Sequence, residues 1–176
     1  MSALDAEFKD IAAASHWLYG PWELSSIKGL GPFTYFIQSG ETIKIGYSNT
    51  PELRVDQLRR GGKAQKPTDG ISPTIRLLTY IEGGQELERK LHARFAESRD
   101  CGEWFFITDE LTALVNEMTE HQARRQVEVH NSYYQWAVKE HGWPEATFDL
   151  DAFTQKQVQS IRAGLRWDHM DYEEAA

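Results

Sequence analysis

The fold is decided by the stretch TYFIQSGETIKIGYSNTPELRVDQL, which runs from Thr34 to Leu58. Two segments rich in Thr, Tyr, Phe and Ile lie on either side of Ser39-Gly40. This composition is typical of a tight β-hairpin, and it predicts strands at about 34–38 and 42–47.

The expected register of the hairpin follows from its turn. If Ser39 and Gly40 are the two turn residues, Tyr35 lies directly opposite Lys44, and a phenol and an ammonium share one face of the sheet. The other face then collects apolar side chains for the core: Phe36, Ile43 and Ile45.

The hairpin is followed by a helix, a third strand and a second helix. The first helix is predicted from Pro51, which suits a first turn, to the Gly61-Gly62 pair. The β-branched and aromatic content of Thr74 to Ile81 predicts the third strand. A helix at about 85–98 presents a buried stripe at i, i+4 and i+8, formed by Leu87, Leu91 and Phe95.

The remaining elements complete an α+β pattern, a small antiparallel sheet flanked by helices. A short strand is predicted at Glu103 to Ile107, and it is followed by a helix that ends near residue 128. Three further helices are predicted from apolar spacing and breakers, at about 4–18, 131–141 and 153–167.

Five positions along this pattern resemble a known family. Tyr35, the tripeptide Lys44-Ile45-Gly46 and Arg54 resemble the motifs of the GIY-YIG nuclease superfamily, in its phage-associated branch. The run ELERKLHARFAESRDCGEWF, Glu86 to Phe105, resembles that branch's Glu-x-x-Leu-His and Gly-Glu-Trp-Phe signature. Several motifs in order, between about Phe33 and Glu120, are more specific than any one alone.

The resemblance implies an endonuclease that hydrolyses DNA phosphodiester bonds with one divalent ion, Mg²⁺ or Mn²⁺. It implies catalytic roles for Tyr35, Lys44, Arg54 and His92, and it implies that Glu88 binds the metal. Phosphodiester hydrolysis needs these groups because a water must lose a proton and negative charge develops on the phosphate oxygens.

Tyr35 and Lys44 each have two possible roles. Tyr35 is expected to act as a general base or to orient the attacking water. Lys44 stands where the superfamily more often has a tyrosine, and its ammonium would either favour the phenolate of Tyr35 or bind a phosphate.

The helical residues are read from their positions. Arg54 lies in the first turn of its helix, where a guanidinium can bind a phosphate with both nitrogens. Glu88 borders the buried stripe, and one carboxylate with water and substrate oxygens is typical of Mg²⁺. His92 can orient Glu88, protonate the leaving group or cover the core. Glu103 is expected to bind backbone or Arg99.

The charge is unevenly distributed along the chain. The net charge of −8 over 176 residues divides into −2 for residues 1–33, +1 for 34–107 and −7 for 108–176. Cations that follow the first helix are candidates for nucleic-acid binding through phosphates: Arg59, Arg60, Lys63 and Lys66.

We therefore expect three regions: an N-terminal helical extension (1–32), a nuclease-like domain (33–120) and an acidic helical extension that packs on the core (121–176). No apolar run is long enough for a membrane helix, so a cytoplasmic protein is expected. The partner is expected to be DNA, or RNA, with a possible protein partner for the acidic third. The alternative function is a non-catalytic module that binds nucleic acid or protein.

Overall fold

The computed structural model describes residues 30–61, 66–142 and 149–163. These residues divide into two compact units, the first ending at Gln122 and the second beginning at Ala123. The helix predicted at 4–18 lies outside the described residues.

The first unit is an α+β domain, as predicted. Its sheet has five antiparallel strands in the order β3-β1-β2-β5-β4. Over both units, the elements in chain order are β1 (Phe33–Ser39), β2 (Thr42–Ser48), α1 (Pro51–Arg59), β3 (Arg76–Glu82), α2 (Gln85–Arg94), a 3₁₀ turn (Ala96–Ser98), β4 (Arg99–Cys101), β5 (Trp104–Phe106), α3 (Asp109–His141) and α4 (Leu150–Arg162).

The hairpin register differs from the expected one by two residues. Ser39 pairs with Thr42, so that Gly40 and Glu41 form the turn, and Tyr35 lies opposite Gly46 instead of Lys44. Gly40 has a φ of +57°, and glycine at the first turn position is the pattern of type II′ hairpins. Because a shift of two residues preserves the side-chain alternation, Tyr35 and Lys44 still share one face.

Gly46 is required by the side chain opposite it. A Cβ atom at this position would lie 2.6 Å from Cζ of Tyr35 and closer still to the hydroxyl. The Tyr35 ring therefore lies directly against the backbone of β2, in space that only glycine leaves open.

The opposite face of the sheet carries the core, as predicted. Phe36, Ile43 and Ile45 pack with Phe105 and with side chains from α2 and α3. The predicted stripe of α2 is confirmed at Leu91 and Phe95, which are buried in this cluster, while Leu87 is partly buried against it.

The prediction of two helices between residues 109 and 141 was wrong. α3 runs without a break from Asp109 to His141, because the sequence contains no glycine or proline between Asp109 and Gly142, and Gly142 has a φ of +68°. In the second unit, α4 begins at Leu150, earlier than predicted. Its cap is Asp149, whose carboxylate accepts hydrogen bonds from the backbone N–H groups of Asp151 and Ala152.

The contact between Tyr35 and Gly46 predicts a stability effect. We expect Gly46→Ala to lower the free energy of unfolding by about 2 kcal/mol, because the ring or the strand must move. Denaturant unfolding checks this value. In a Tyr35→Ala background the same change should cost much less. An equal cost in both backgrounds would contradict the proposed packing.

Candidate active site

The candidate site lies where β5 stops pairing with β2. β5 pairs with β2 only from Thr42 to Lys44. Beyond that point the backbone of Ile45 has two other partners: its N–H donates to the Glu103 carbonyl (3.0 Å), and its carbonyl lies 2.9 Å from Nε2 of His92. Charged side chains gather around this edge of the sheet.

Tyr35 and Arg54 form one half of the site. Tyr35 is 1% exposed, and the positive charge of the Arg54 guanidinium acts on its phenol. Arg54 Nη1 donates a hydrogen bond to Oε1 of Gln57 at 2.6 Å, which holds the guanidinium on α1. Burial raises the pKa of Tyr35, while the positive charge of Arg54 acts in the opposite direction. The phenol is therefore protonated at neutral pH.

Lys44 has a different partner from the one expected. Its ammonium forms an ion pair with the Glu103 carboxylate and lies 5.7 Å from the centroid of the Trp104 ring. Lys44 is 4% exposed, whereas the Glu103 side chain is 47% exposed. The cation beside the Tyr35 phenol is thus Arg54, and Lys44 does not play that part.

The expected partner of Glu103 was also wrong. Its carboxylate binds Lys44, and Arg99 instead donates to the backbone carbonyls of Gly102 and His92. Sequence reasoning missed this pair because it depends on the pairing of β2 with the distant strand β5, in which Lys44 is the strand partner of Trp104, the residue after Glu103.

Glu88 is a buried carboxylate on α2. It is 8% exposed, and no described residue donates a hydrogen bond to it; Nε2 of His92 lies 4.0 Å away. Burial raises the pKa of Glu88, as does the negative charge of Glu103, while His92 and Lys44 lower it. A buried carboxylate in this setting favours a neighbouring positive charge.

His92 links α2 to the sheet. A carbonyl can only accept, so Nε2 of His92 carries the hydrogen and donates it to Ile45. The ring also packs against Phe105, with centroids 5.1 Å apart. These contacts give His92 a positioning task in addition to the catalytic role that the sequence suggested.

The structure brings the predicted residues together. The negative charges of Glu88 and Glu103 both act on the Tyr35 phenol, and Lys44 acts on Glu88. Tyr35, Arg54, Lys44, Glu88 and Glu103 therefore form one electrostatic cluster, which we call the edge cluster.

The predicted nucleic-acid-binding cations are differently engaged. Arg59 donates to the Ile75 carbonyl at 2.9 Å and pairs with Asp56, so it fastens α1 to the start of β3. Arg60 and Lys66 are exposed. Lys63 lies outside the described residues.

The loop that carries Lys66 is fastened to β4. The Thr68 N–H donates a hydrogen bond to the Asp100 carboxylate at 2.7 Å, and the Thr68 hydroxyl donates to the same carboxylate. The Cys101 thiol donates to the Lys66 carbonyl at 2.8 Å. Lys66 is thereby held close to the turn that precedes Glu103.

The donor set of the edge cluster fits a hard cation. Glu88 and Glu103 provide carboxylate oxygens, and Mg²⁺ typically takes one or two carboxylates with water and substrate oxygens. Within the described ranges, no three His, Cys, Asp or Glu side chains converge as a metal-binding group.

The chain belongs to the T5orf172 domain family, whose model matches residues 33–128, more than half of the chain. This is a phage-associated domain related to nucleases. No curated protein and no solved structure matches the chain. None of the helices described is long and apolar enough to cross a membrane.

The burial of Glu88 predicts a pH-dependent stability effect. Because its pKa is raised, its charged form costs stability at neutral pH, and the cost disappears as pH falls through that pKa. We expect Glu88→Gln to stabilise the protein by about 1 kcal/mol at neutral pH and to have little effect near pH 4.

Thermal melting without divalent ions checks this difference at both pH values. Glu86→Gln is the matched control, since Glu86 is exposed on the same helix and pairs with Lys90 at 2.8 Å. Removing its charge should not stabilise the protein. A Glu88→Gln protein that is less stable than wild type at neutral pH would show that the charge of Glu88 does not destabilise the fold.

Proposed function

We propose that this protein is a metal-dependent endonuclease of GIY-YIG type that hydrolyses DNA phosphodiester bonds. The observation that carries the proposal is the buried Glu88 carboxylate, which no described residue hydrogen bonds, in a cluster with a phenol, a guanidinium and an ammonium. These are the groups that phosphodiester hydrolysis requires, and the family is nuclease-like.

Tyr35 and Arg54 act on the water and the phosphate. The Arg54 guanidinium binds the non-bridging phosphate oxygens, where negative charge develops in the transition state. Tyr35 first releases its phenolic proton to a solvent water, and the resulting phenolate then accepts the proton of the attacking water.

Glu88 would hold the divalent ion, and the ion would supply positive charge that offsets the negative charge developing on the phosphate. His92 keeps α2 in register with β2 through the Ile45 carbonyl, and so keeps Glu88 at the sheet edge. Arg60 and Lys66 are exposed and are the described cations of this group that would bind the DNA backbone.

A non-catalytic nucleic-acid-binding module is the second candidate. The 1% exposure of Tyr35 and the mutual neutralisation of Lys44 and Glu103 favour it, because both leave the catalytic groups engaged with each other. In that function the exposed cations bind phosphates and no bond is broken.

A plasmid nicking assay with purified protein separates the two functions. We expect nicking with Mg²⁺ or Mn²⁺, and a fall of at least about 100-fold in Glu88→Gln and in Arg54→Ala, since each removes a charge that acts on the transition state. Glu86→Gln is the control and should cleave like wild type. DNA binding by wild type without cleavage of DNA or RNA would support the binding module.

The raised pKa of Tyr35 predicts how cleavage depends on pH. If the phenolate is the base, its population rises about tenfold per pH unit below its pKa, so the cleavage rate should climb from about pH 7 to 9. Tyr35→Phe should lose most activity and this slope while its DNA affinity, measured by fluorescence anisotropy, stays unchanged. A flat wild-type profile would assign Tyr35 to orienting the water.

A further inference from the structure

Glu103 is held more rigidly than an ordinary half-exposed glutamate. The backbone carbonyl of Glu103 accepts the Ile45 N–H. The carbonyl of the preceding residue, Gly102, accepts a hydrogen bond from Arg99, and the following residue, Trp104, is fully buried. Gly102 has a φ of +53°, so the turn depends on glycine at this point. The carboxylate is thus presented from a fixed backbone, open to solvent on one side.

Glu103 and Glu88 flank the backbone of Ile45: the Glu103 carbonyl accepts the Ile45 N–H, and the Ile45 carbonyl accepts from His92, whose Nε2 lies 4.0 Å from Glu88. Lys44 is hydrogen bonded to Glu103, while Glu88, 8% exposed, receives no hydrogen bond from any residue in the described ranges. The ammonium is engaged with Glu103, and within the described residues the only ion-pair neighbour of Glu88 is His92, whose Nε2 lies 4.0 Å from its carboxylate. The negative charges of Glu88 and Glu103 act on each other, so the two carboxylates together favour a further positive charge.

We propose that Glu103 is a second carboxylate ligand of the divalent ion, and that it exchanges Lys44 for the ion, which frees the Lys44 ammonium to bind a substrate phosphate. This inference rests on the proposed function, because it concerns the same site. The inference gives linked roles to Glu103, in the Gly-Glu-Trp-Phe run, and to Lys44, in the Lys-Ile-Gly tripeptide.

The exchange couples metal binding to substrate binding. Lys44 is 4% exposed, so its ammonium is most stable beside an anion. When Glu103 turns to the ion, a phosphate oxygen is the replacement. Without DNA, Lys44 competes with the ion for Glu103, so the ion binds more weakly than two carboxylates alone would allow.

The test is a Mn²⁺ titration of the DNA-free protein, followed by calorimetry and by the electron paramagnetic resonance of free Mn²⁺. Glu103→Gln should weaken Mn²⁺ binding by about tenfold or more, as the loss of a ligand does. Lys44→Met should strengthen it severalfold, because the competing cation is gone. In the double variant, Lys44→Met should give no gain, since Glu103 is absent.

Glu86→Gln is the matched control for the loss of one negative charge and should bind Mn²⁺ like wild type. If Lys44→Met does not fold, Lys44→Gln takes its place, and Glu103→Gln tests the ligand role independently. Equal Mn²⁺ affinity in wild type, Glu103→Gln and Lys44→Met would overturn the inference, as would the absence of any Mn²⁺ binding by wild type.

These results are distinguishable from a failure of the proposed function. A wild type that cleaves DNA, with a Glu103→Gln variant of unchanged Mn²⁺ affinity, would end the inference and leave the nuclease intact. A wild type that does not cleave, with the Mn²⁺ differences present, would establish a two-carboxylate ion site in a protein that is not a nuclease.

Discussion

The candidate site depends on the contact between the Tyr35 ring and the backbone of Gly46. This contact fills the space that any other residue at position 46 would occupy, and it fixes which residues of β1 and β2 face each other. The Tyr35 hydroxyl is then placed where the positive charge of Arg54, on α1, acts on it. The alternation of side chains along β2 places Lys44 on the same face of the sheet. A slip of one residue would send these groups into the apolar core.

A second constraint is the balance of charge at the sheet edge. Arg54 faces a phenol and Lys44 faces Glu103, while Glu88 is buried without a hydrogen bond from the described residues. The cluster is therefore stable as a folded structure yet electrostatically incomplete at one carboxylate. Such incompleteness is common where a protein binds an ion or a charged substrate, because the partner supplies the missing interaction.

Much of the fold could be predicted from the sequence, and the errors have physical causes. Strand composition and apolar spacing located the hairpin, α1, β3, α2 and the core face, since these depend on short-range patterns. The register failed because Ser39-Gly40 and Gly40-Glu41 are both plausible turns, and the choice depends on the positive φ of Gly40. Glu103 was misassigned because its partner is 59 residues away in sequence, a pairing that no local pattern reveals.

The Glu-x-x-Leu-His run has a simple explanation in helix geometry. Residues at i, i+3 and i+4 share one side of a helix. Here Glu88 carries a carboxylate, Leu91 packs in the core and His92 donates a hydrogen bond to the Ile45 carbonyl. Leu91 and His92 hold the helix against the sheet, and Glu88 on the same side of the helix is thereby positioned near β2. The same three positions could be used in protein design to place a carboxylate beside a strand carbonyl that has no partner strand.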